Sequence, residues 1–293
     1  MKRTVLFTVL MMVAGLIFAQ QKPAYVIFNN QGEKVDYEKM LNALKGADIV
    51  FFGELHNNPI AHWLELQVAK DLYAAKKKDL VIGAEMFEAD NQLIIDEYFK
   101  DFISTRSFED ECRLWPNYKT DYKPILEFAR KNGVKLVATN IPRRYASIVA
   151  KGGFDALKKL SPEAKKYIAP LPINYDPNLP CYKNMLKMPA HMKGMMGPAM
   201  NPNLPRAQAI KDATMAHFIL ANLKKGQLFY HFNGAYHSDD HQGIVWYIKT
   251  QDKTKKVVTI STVQQSDLSK IDDETKKKAD FIIVVPEDMT TTY

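Results

Sequence analysis

Cysteine is scarce in this chain: Cys112 and Cys181 are the only two among 293 residues. One pair is not a disulfide framework, although an exported chain can still join them, and their separation excludes a Cys-x-x-Cys metal knuckle. No cysteine stands near the apolar amino-terminal run, so a lipoprotein anchor is not expected. An arginine-rich stripe with interleaved aromatics is also lacking, which argues against a nucleic-acid groove. No Ser or Cys nucleophile occupies a recognised elbow. No later segment is apolar enough to span a bilayer, and no internal repeat is evident.

What is present begins with Lys2, Arg3 and an apolar run from Val5 to Phe18. That run is shorter than the ~20 residues of a spanning helix and reads as a secretory signal. Cleavage near Ala19 or Gln20 is expected, giving a signal peptide over 1–20 and a mature domain over 21–293. An uncleaved signal, acting as a membrane anchor, is the alternative. Loss of Lys2 and Arg3 lowers the formal charge from +7 to +5, a mildly basic balance that suits an acidic ligand or simply solvated lysine faces. The expected location is the periplasm or cell surface.

Short apolar runs alternate with amphipathic ones, the pattern of an α/β fold whose mostly parallel central sheet is flanked by helices. Strands are predicted at Tyr25–Phe28, Ile49–Gly53, Leu80–Glu85, Lys135–Thr139, Leu228–Phe232, Val257–Thr262 and Phe281–Val285. Asn58 and Pro59 open a helix running to about Ala75. Others are predicted over Lys123–Lys131, after Pro142, and over about Ala207–Leu223. The stretch 161–205 breaks this rhythm. It is rich in proline, holds six methionines between Met185 and Met200, and reads as a partly helical lid insertion lying over the sheet.

Chemistry gathers at four strand ends, where open α/β sheets bind ligands. In Gly53-Glu54-Leu55-His56, the capping role falls to Asn58 and Pro59, which leaves Glu54 and His56 for function. His62 follows within the helix, either lining the same pocket or packing. Glu85 closes an apolar strand, where an ionised carboxylate needs a partner or ligand. Glu88 follows three residues later and fits a solvent-reaching carboxylate better. Gly234-Ala235-Tyr236-His237 repeats the Gly-x-x-His pattern, so neighbouring parallel strands are expected to bring His56 and His237 together with Glu54 and Glu85. His241 beyond it is open as an exposed residue. At the fourth, Asn140 caps a helix, and one of Arg143 and Arg144 can hold a carboxylate in bidentate fashion.

These segments resemble the ChaN-like family of the haem-uptake, Tiki-type superfamily. The resemblance rests on Gly53-Glu54-Leu55-His56-Asn57-Asn58-Pro59 with His62, Glu85-Met86-Phe87, Leu126-Glu127-Phe128-Ala129-Arg130, Asn140-Ile141-Pro142-Arg143, Asp212-Ala213-Thr214-Met215-Ala216 and Gly234-Ala235-Tyr236-His237, in order across roughly 45–245. It implies an α/β fold, iron-regulated haem binding outside the cytoplasm, and haem held across a dimer interface with a tyrosine on iron. Superfamily relatives with the same Glu and Gly-x-x-His turns include metal-dependent peptidases and esterases.

The lid suits a flat apolar ligand. Met185, Met188, Met192 and Met195 recur at helical spacing, interrupted by Pro189, and thioethers adapt to a porphyrin face. Tyr182 and His191 are the iron-ligand candidates, with Met188 and Met192 as covering residues. The resemblance therefore implies a non-catalytic, exported haem-binding protein, with a homodimer through the lid and an outer-membrane haem receptor as expected partners, whereas residue chemistry alone ranks haem binding level with hydrolysis. The alternative is a hydrolase using Glu54, His56, Glu85 and His237, with a divalent metal. A partner-binding surface protein with a relic site is the third reading.

Overall fold

The computed structural model describes residues 22–187 and 201–293. The predicted signal segment and the lid residues Met188, His191 and Met192 lie outside them. Eight strands form one sheet: β1 (Val26–Asn29), β2 (Lys34–Val35), β3 (Ile49–Glu54), β4 (Leu80–Glu88), β5 (Lys135–Asn140), β6 (Leu228–Gly234), β7 (Val257–Gln265) and β8 (Phe281–Pro286), in the order β2-β1-β8-β7-β3-β6-β4-β5. Strands β3 to β8 run parallel, and β1 and β2 close one edge in antiparallel fashion. The sheet is thus mostly parallel and helix-flanked, as the alternating pattern predicts.

Continuous apolar strands are the mark of a sheet covered on both faces. In β3, Val50 and Phe52 pack towards helices α1 (Tyr37–Lys45), α2 (Pro59–Lys76) and α5 (Lys123–Lys131), while Ile49 and Phe51 face the opposite layer. That layer includes α9 (Leu204–Asn222) and α10 (Ile244–Gln251). Between them lie α3 (Gln92–Phe99), α4 (Thr105–Glu111), α6 (Arg143–Gly152), α7 (Pro162–Lys165) and α8 (Pro180–Met185). The described parts of the 161–205 segment contribute short helices and no strand. They join the α9 layer: the Cys181 amide donates to Gln242 at 2.6 Å, and Tyr182 packs in the same apolar cluster as α9.

Placement of β6 matters most for function. It lies between β3 and β4, and all three end at the same rim, with Glu54 opposite Gly234. Strand β4 continues past its expected end at Glu85. Its register with β5 shifts between Ala84 and Glu88, an irregularity of the kind that re-aims side chains near sites. That shift carries Glu85 towards β6, where the Gly234 amide donates to Glu85 Oε2 at 2.9 Å.

Candidate functional site

The strand ends surround a cleft of about 860 Å³, lined by Glu54, His56, Glu85 and His237 among others. The four residues predicted from two separate turns and two strand ends do come together. Close approach of the backbone makes this possible. A Cβ on Gly234 would stand 2.6 Å from His56 Nε2, and one on Gly53 would stand 2.9 Å from both the Ala235 Cα and the Ile260 carbonyl oxygen. At Gly53 backbone occupies the side-chain position and glycine is needed, whereas at Gly234 the position is filled by the His56 ring.

On the β3 side, Asn58 accepts from the amides of Ile60 and Ala61, capping α2 as its sequence predicts. This leaves Glu54 to bond His56, with Oε1 2.7 Å from Nδ1. The Tyr122 hydroxyl donates to the same oxygen at 2.7 Å. Burial, followed by the nearby Glu65 charge, pushes the Glu54 carboxyl up to about 8, against the pull of His56. For the His56 ring burial disfavours charge, but the Glu54 hydrogen bond and the Glu85 charge prevail and raise its pKa. Its side chain is 37% exposed at the cleft, edge-on to Trp115 at 4.9 Å between ring centres.

On the β6 side, His237 is buried and held at both nitrogens. Nδ1 bonds Asp212 Oδ1, and Nε2 lies 3.1 Å from Glu85 Oε1. Burial opposes the charged ring, yet Glu85 and Asp212 outweigh it and push its pKa up to about 10. Glu85 is held well below the usual carboxylate range, because His237 overcomes its burial. Asp212 is raised by burial, with His237 and Tyr182 working the other way. The Tyr182 hydroxyl donates to Asp212 Oδ2 at 2.7 Å, completing a buried line from Tyr182 through Asp212 and His237 to Glu85. At neutral pH this line holds a positive ring between two carboxylates, suited to fixing a charge rather than to accepting a proton.

Several expectations are corrected here. Tyr182, expected as an iron ligand, is fully buried with its hydroxyl committed to Asp212, and it does not line the cleft. Glu88 does not reach solvent: it is 4% exposed and paired with both Arg113 and Arg143. Arg144 pairs with Asp90, so both arginines hold a carboxylate where only one was expected to. Asn140 does not cap the following helix; its side-chain amide donates to the Glu85 carbonyl at 2.9 Å and fixes the β4 irregularity. His62 lies behind Glu54, with Nδ1 3.1 Å from Glu65 Oε2 and 3.5 Å from Glu54 Oε2. His241 is exposed, in keeping with its open reading, and lies 3.4 Å from Asp280. Cys112 and Cys181 are unpaired.

Sequence reasoning missed Asp212 as a site residue, together with Lys211, Gln208 and Trp115 of the cleft wall. A signal for Asp212 existed, since it is an acidic residue among the buried positions Ile210, Ala213 and Thr214 of α9. Leu114, Ile141 and Ala146 give the wall an apolar part, and Arg143 and Lys211 bring positive charge to it.

Residues 40–248 match the family model described as haem-binding uptake, Tiki superfamily, ChaN. Among solved structures, ChaN of Campylobacter jejuni, described with cofacial haem binding, is similar at a TM-score of 0.68 and 18% identity, over 89% of this chain and 96% of that one. A mutant of the erythromycin esterase EreC in its open conformation is similar at 0.50 and 10% identity, over 90% and 98%. At such identities these likenesses establish the fold. The chloroplastic protein RETICULATA-RELATED 5 of Arabidopsis thaliana is 29% identical over 140 residues, and the matched part is 46% of this chain and 18% of that protein's length. The family match extends over most of the described fold, including every strand end that builds the cleft, and the chain belongs to the haem-binding uptake, Tiki superfamily, ChaN family.

Proposed function

We propose that this protein binds haem in the cleft and serves haem or iron uptake outside the cytoplasm. The observation that carries the reading is the cleft itself, together with the family to which the chain belongs. Its volume of about 860 Å³ lies within the ~300–1,000 Å³ typical of cofactor pockets. The residues present fit the group. Trp115, Leu114 and Ile141 supply an apolar wall, and Arg143 and Lys211 supply cations for the propionates. With Tyr182 committed elsewhere, the axial-ligand candidates at the cleft are His56 and Tyr236, the latter 47% exposed but with its hydroxyl donating to the Cys181 carbonyl. Burial pushes the Tyr236 phenol up to about 12, which favours the imidazole as ligand at neutral pH.

Export rests on the pattern of residues 1–20. The lid residues His191, Met188 and Met192, a homodimer through the lid and an outer-membrane haem receptor belong to the same proposal. Titration of the purified chain with hemin tests it. A shifted Soret band is expected, weakened by His56→Ala and little changed by Tyr182→Phe. A spectrum identical to free hemin throughout ends the reading.

Hydrolysis is a second reading, favoured by the two histidine–carboxylate pairs that face one cleft and by the fold shared with an erythromycin esterase. In it His56 activates water, while the His237 imidazolium stabilises developing negative charge. A panel of ester and peptide substrates, with and without divalent metal, tests it. Absence of turnover under every condition removes it.

A further inference from the structure

Behind the Glu54–His56 pair, Glu54 meets two further side chains of metal-ligating type, His62 and Glu65, to which neither reading gives a task. Glu54 ends β3, and His62 and Glu65 lie three residues apart on α2. All three are buried, at 1%, 6% and 1% exposure. One ligand atom from each lies within 4.8 Å of the others.

The hydrogen bonding of His62 gives the convergence its meaning. Its Nε2 faces two acceptors, the His56 carbonyl at 3.2 Å and Asp121 Oδ2 at 3.4 Å. That nitrogen therefore carries the proton. In the neutral ring, Nδ1 then directs its lone pair at two carboxylates, 3.1 Å from Glu65 Oε2 and 3.5 Å from Glu54 Oε2. A lone pair facing two buried ionised carboxylates is repulsive, so either a proton or a metal cation must lie among them. Glu54 Oε2 and Glu65 Oε1 are buried without any hydrogen-bond partner. Among the described residues, no lysine or arginine pairs with Glu54, Glu65 or Asp121; their ion-pair contacts are with His56 and His62.

We propose that Glu54, His62 and Glu65 form a binding site for a divalent transition-metal ion, with Asp121 orienting His62 from behind. The spacing suits it. Bonds of ~2.0–2.2 Å in a tetrahedral shell put neighbouring ligand atoms about 3.3–3.6 Å apart, close to the separations at His62 Nδ1. One imidazole nitrogen with two carboxylates selects ions of the zinc, manganese and iron class over magnesium or calcium, which prefer all-oxygen shells. Asp121 behind the ring completes a carboxylate–histidine–metal arrangement. Its Oδ2 is held in turn by Asn117 at 2.6 Å and Thr292 at 2.7 Å. Glu54 joins this site to the cleft, because its other oxygen bonds His56. The ion would set the orientation of that carboxylate, and through it the ring at the cleft. The site does not depend on haem binding or on hydrolysis.

The test is metal analysis of the full chain purified without chelator, followed by stripping and reloading with Zn2+, Mn2+ or Co2+. One ion per chain is expected, with a lower Tm after chelation and recovery on reloading. Glu65→Gln and His62→Ala should abolish loading, and His237→Ala, which removes contacts to Glu85 and Asp212 but none to the three ligands, should retain it. A stripped chain that takes up none of the three ions overturns the proposal, and protons then balance the carboxylates. So does an ion lost in His237→Ala but kept in Glu65→Gln, which would put it in the cleft. If the Glu65 and His62 variants fail to fold, anomalous scattering from Zn2+-loaded crystals of the unaltered chain decides. A peak between Glu54, His62 and Glu65 supports the site, and a peak elsewhere or none overturns it.

Discussion

His56 and His237 follow the same Gly-x-x-His turn on neighbouring strands, yet the structure treats them in opposite ways. The His56 side chain is 37% exposed, and one carboxylate oxygen holds one of its nitrogens. At His237 the side chain is 6% exposed and carboxylates hold both nitrogens. A ring with one free nitrogen at a cleft can meet a ligand or water. A ring clamped on both sides in the interior is a fixed positive charge. The repeat thus yields two different instruments, and what separates them comes from elsewhere in the chain: Asp212 on α9 reaches only His237.

The comparison breaks most completely at Asp212. Asp212→Ala leaves His237 with one carboxylate and strands the Tyr182 hydroxyl in the interior. Removing one member of a buried charged pair costs ~3–5 kcal/mol, and that loss of unfolding free energy is expected in denaturant titration. A loss below ~1 kcal/mol would mean that His237 is not held as a charge.

A pH profile sharpens it next. Strand β6 carries a second buried imidazole, His231, between Thr139 at 2.8 Å and Asn233 at 3.0 Å. Burial lowers its pKa to about 4, so it stays neutral where His237 is charged. The unfolded chain protonates a histidine near 6.5. Stability from His231 is therefore full above that pH and is lost as pH falls from about 6.5 towards about 4, by roughly 3 kcal/mol. His237 acts with the reverse sign. Its contribution is full below about 6.5 and declines as pH rises towards about 10. These two rings alone put a maximum near 6.5, while Glu54, raised to about 8, adds a loss as pH rises above about 4.5. The profile of His231→Gln subtracted from that of the unaltered chain should therefore show a difference confined to the acid limb.

Much of this was legible in the sequence, for identifiable reasons. Apolar runs ending in glycine predict parallel strands and their rim, and two Gly-x-x-His turns predict which histidines meet there. Those signals are local. Asp212 and Tyr182 were not read as partners of His237 because their contacts span 25 residues from Asp212 to His237 and 30 from Tyr182 to Asp212. Glu88 was misread for the same reason: Arg113 lies 25 residues away and Arg143 lies 55 away, so no local pattern shows that it is paired. The extension of β4 past Glu85 also escaped, since a register shift leaves no mark in apolar periodicity.

A smaller perturbation attacks the boundary between the two rings. Gly234→Ala places a Cβ against the far edge of the His56 ring, at 2.6 Å from Nε2 and 2.7 Å from Cε1. Because that ring is half-exposed, it can swing towards solvent instead of straining the sheet. The cost should sit at the low end of the ~1–3 kcal/mol range for overpacking. Hemin binding should weaken, and the His56 ring resonances should shift while those of His237 hold.

The smallest expected effect on stability is His56→Ala, at about 1 kcal/mol or less, since Glu54 Oε1 keeps the Tyr122 hydroxyl and the lost ring was already partly in solvent. This variant also decides how Gly234→Ala acts. If the added methyl works only by displacing His56, it has nothing left to displace once the ring is gone. The double variant should then be no less stable than His56→Ala, with a coupling energy about equal to the whole cost of Gly234→Ala. Additive losses would mean instead that the methyl disturbs Glu85 or the β6 backbone, and that the two histidines share a wall whose strain reaches both.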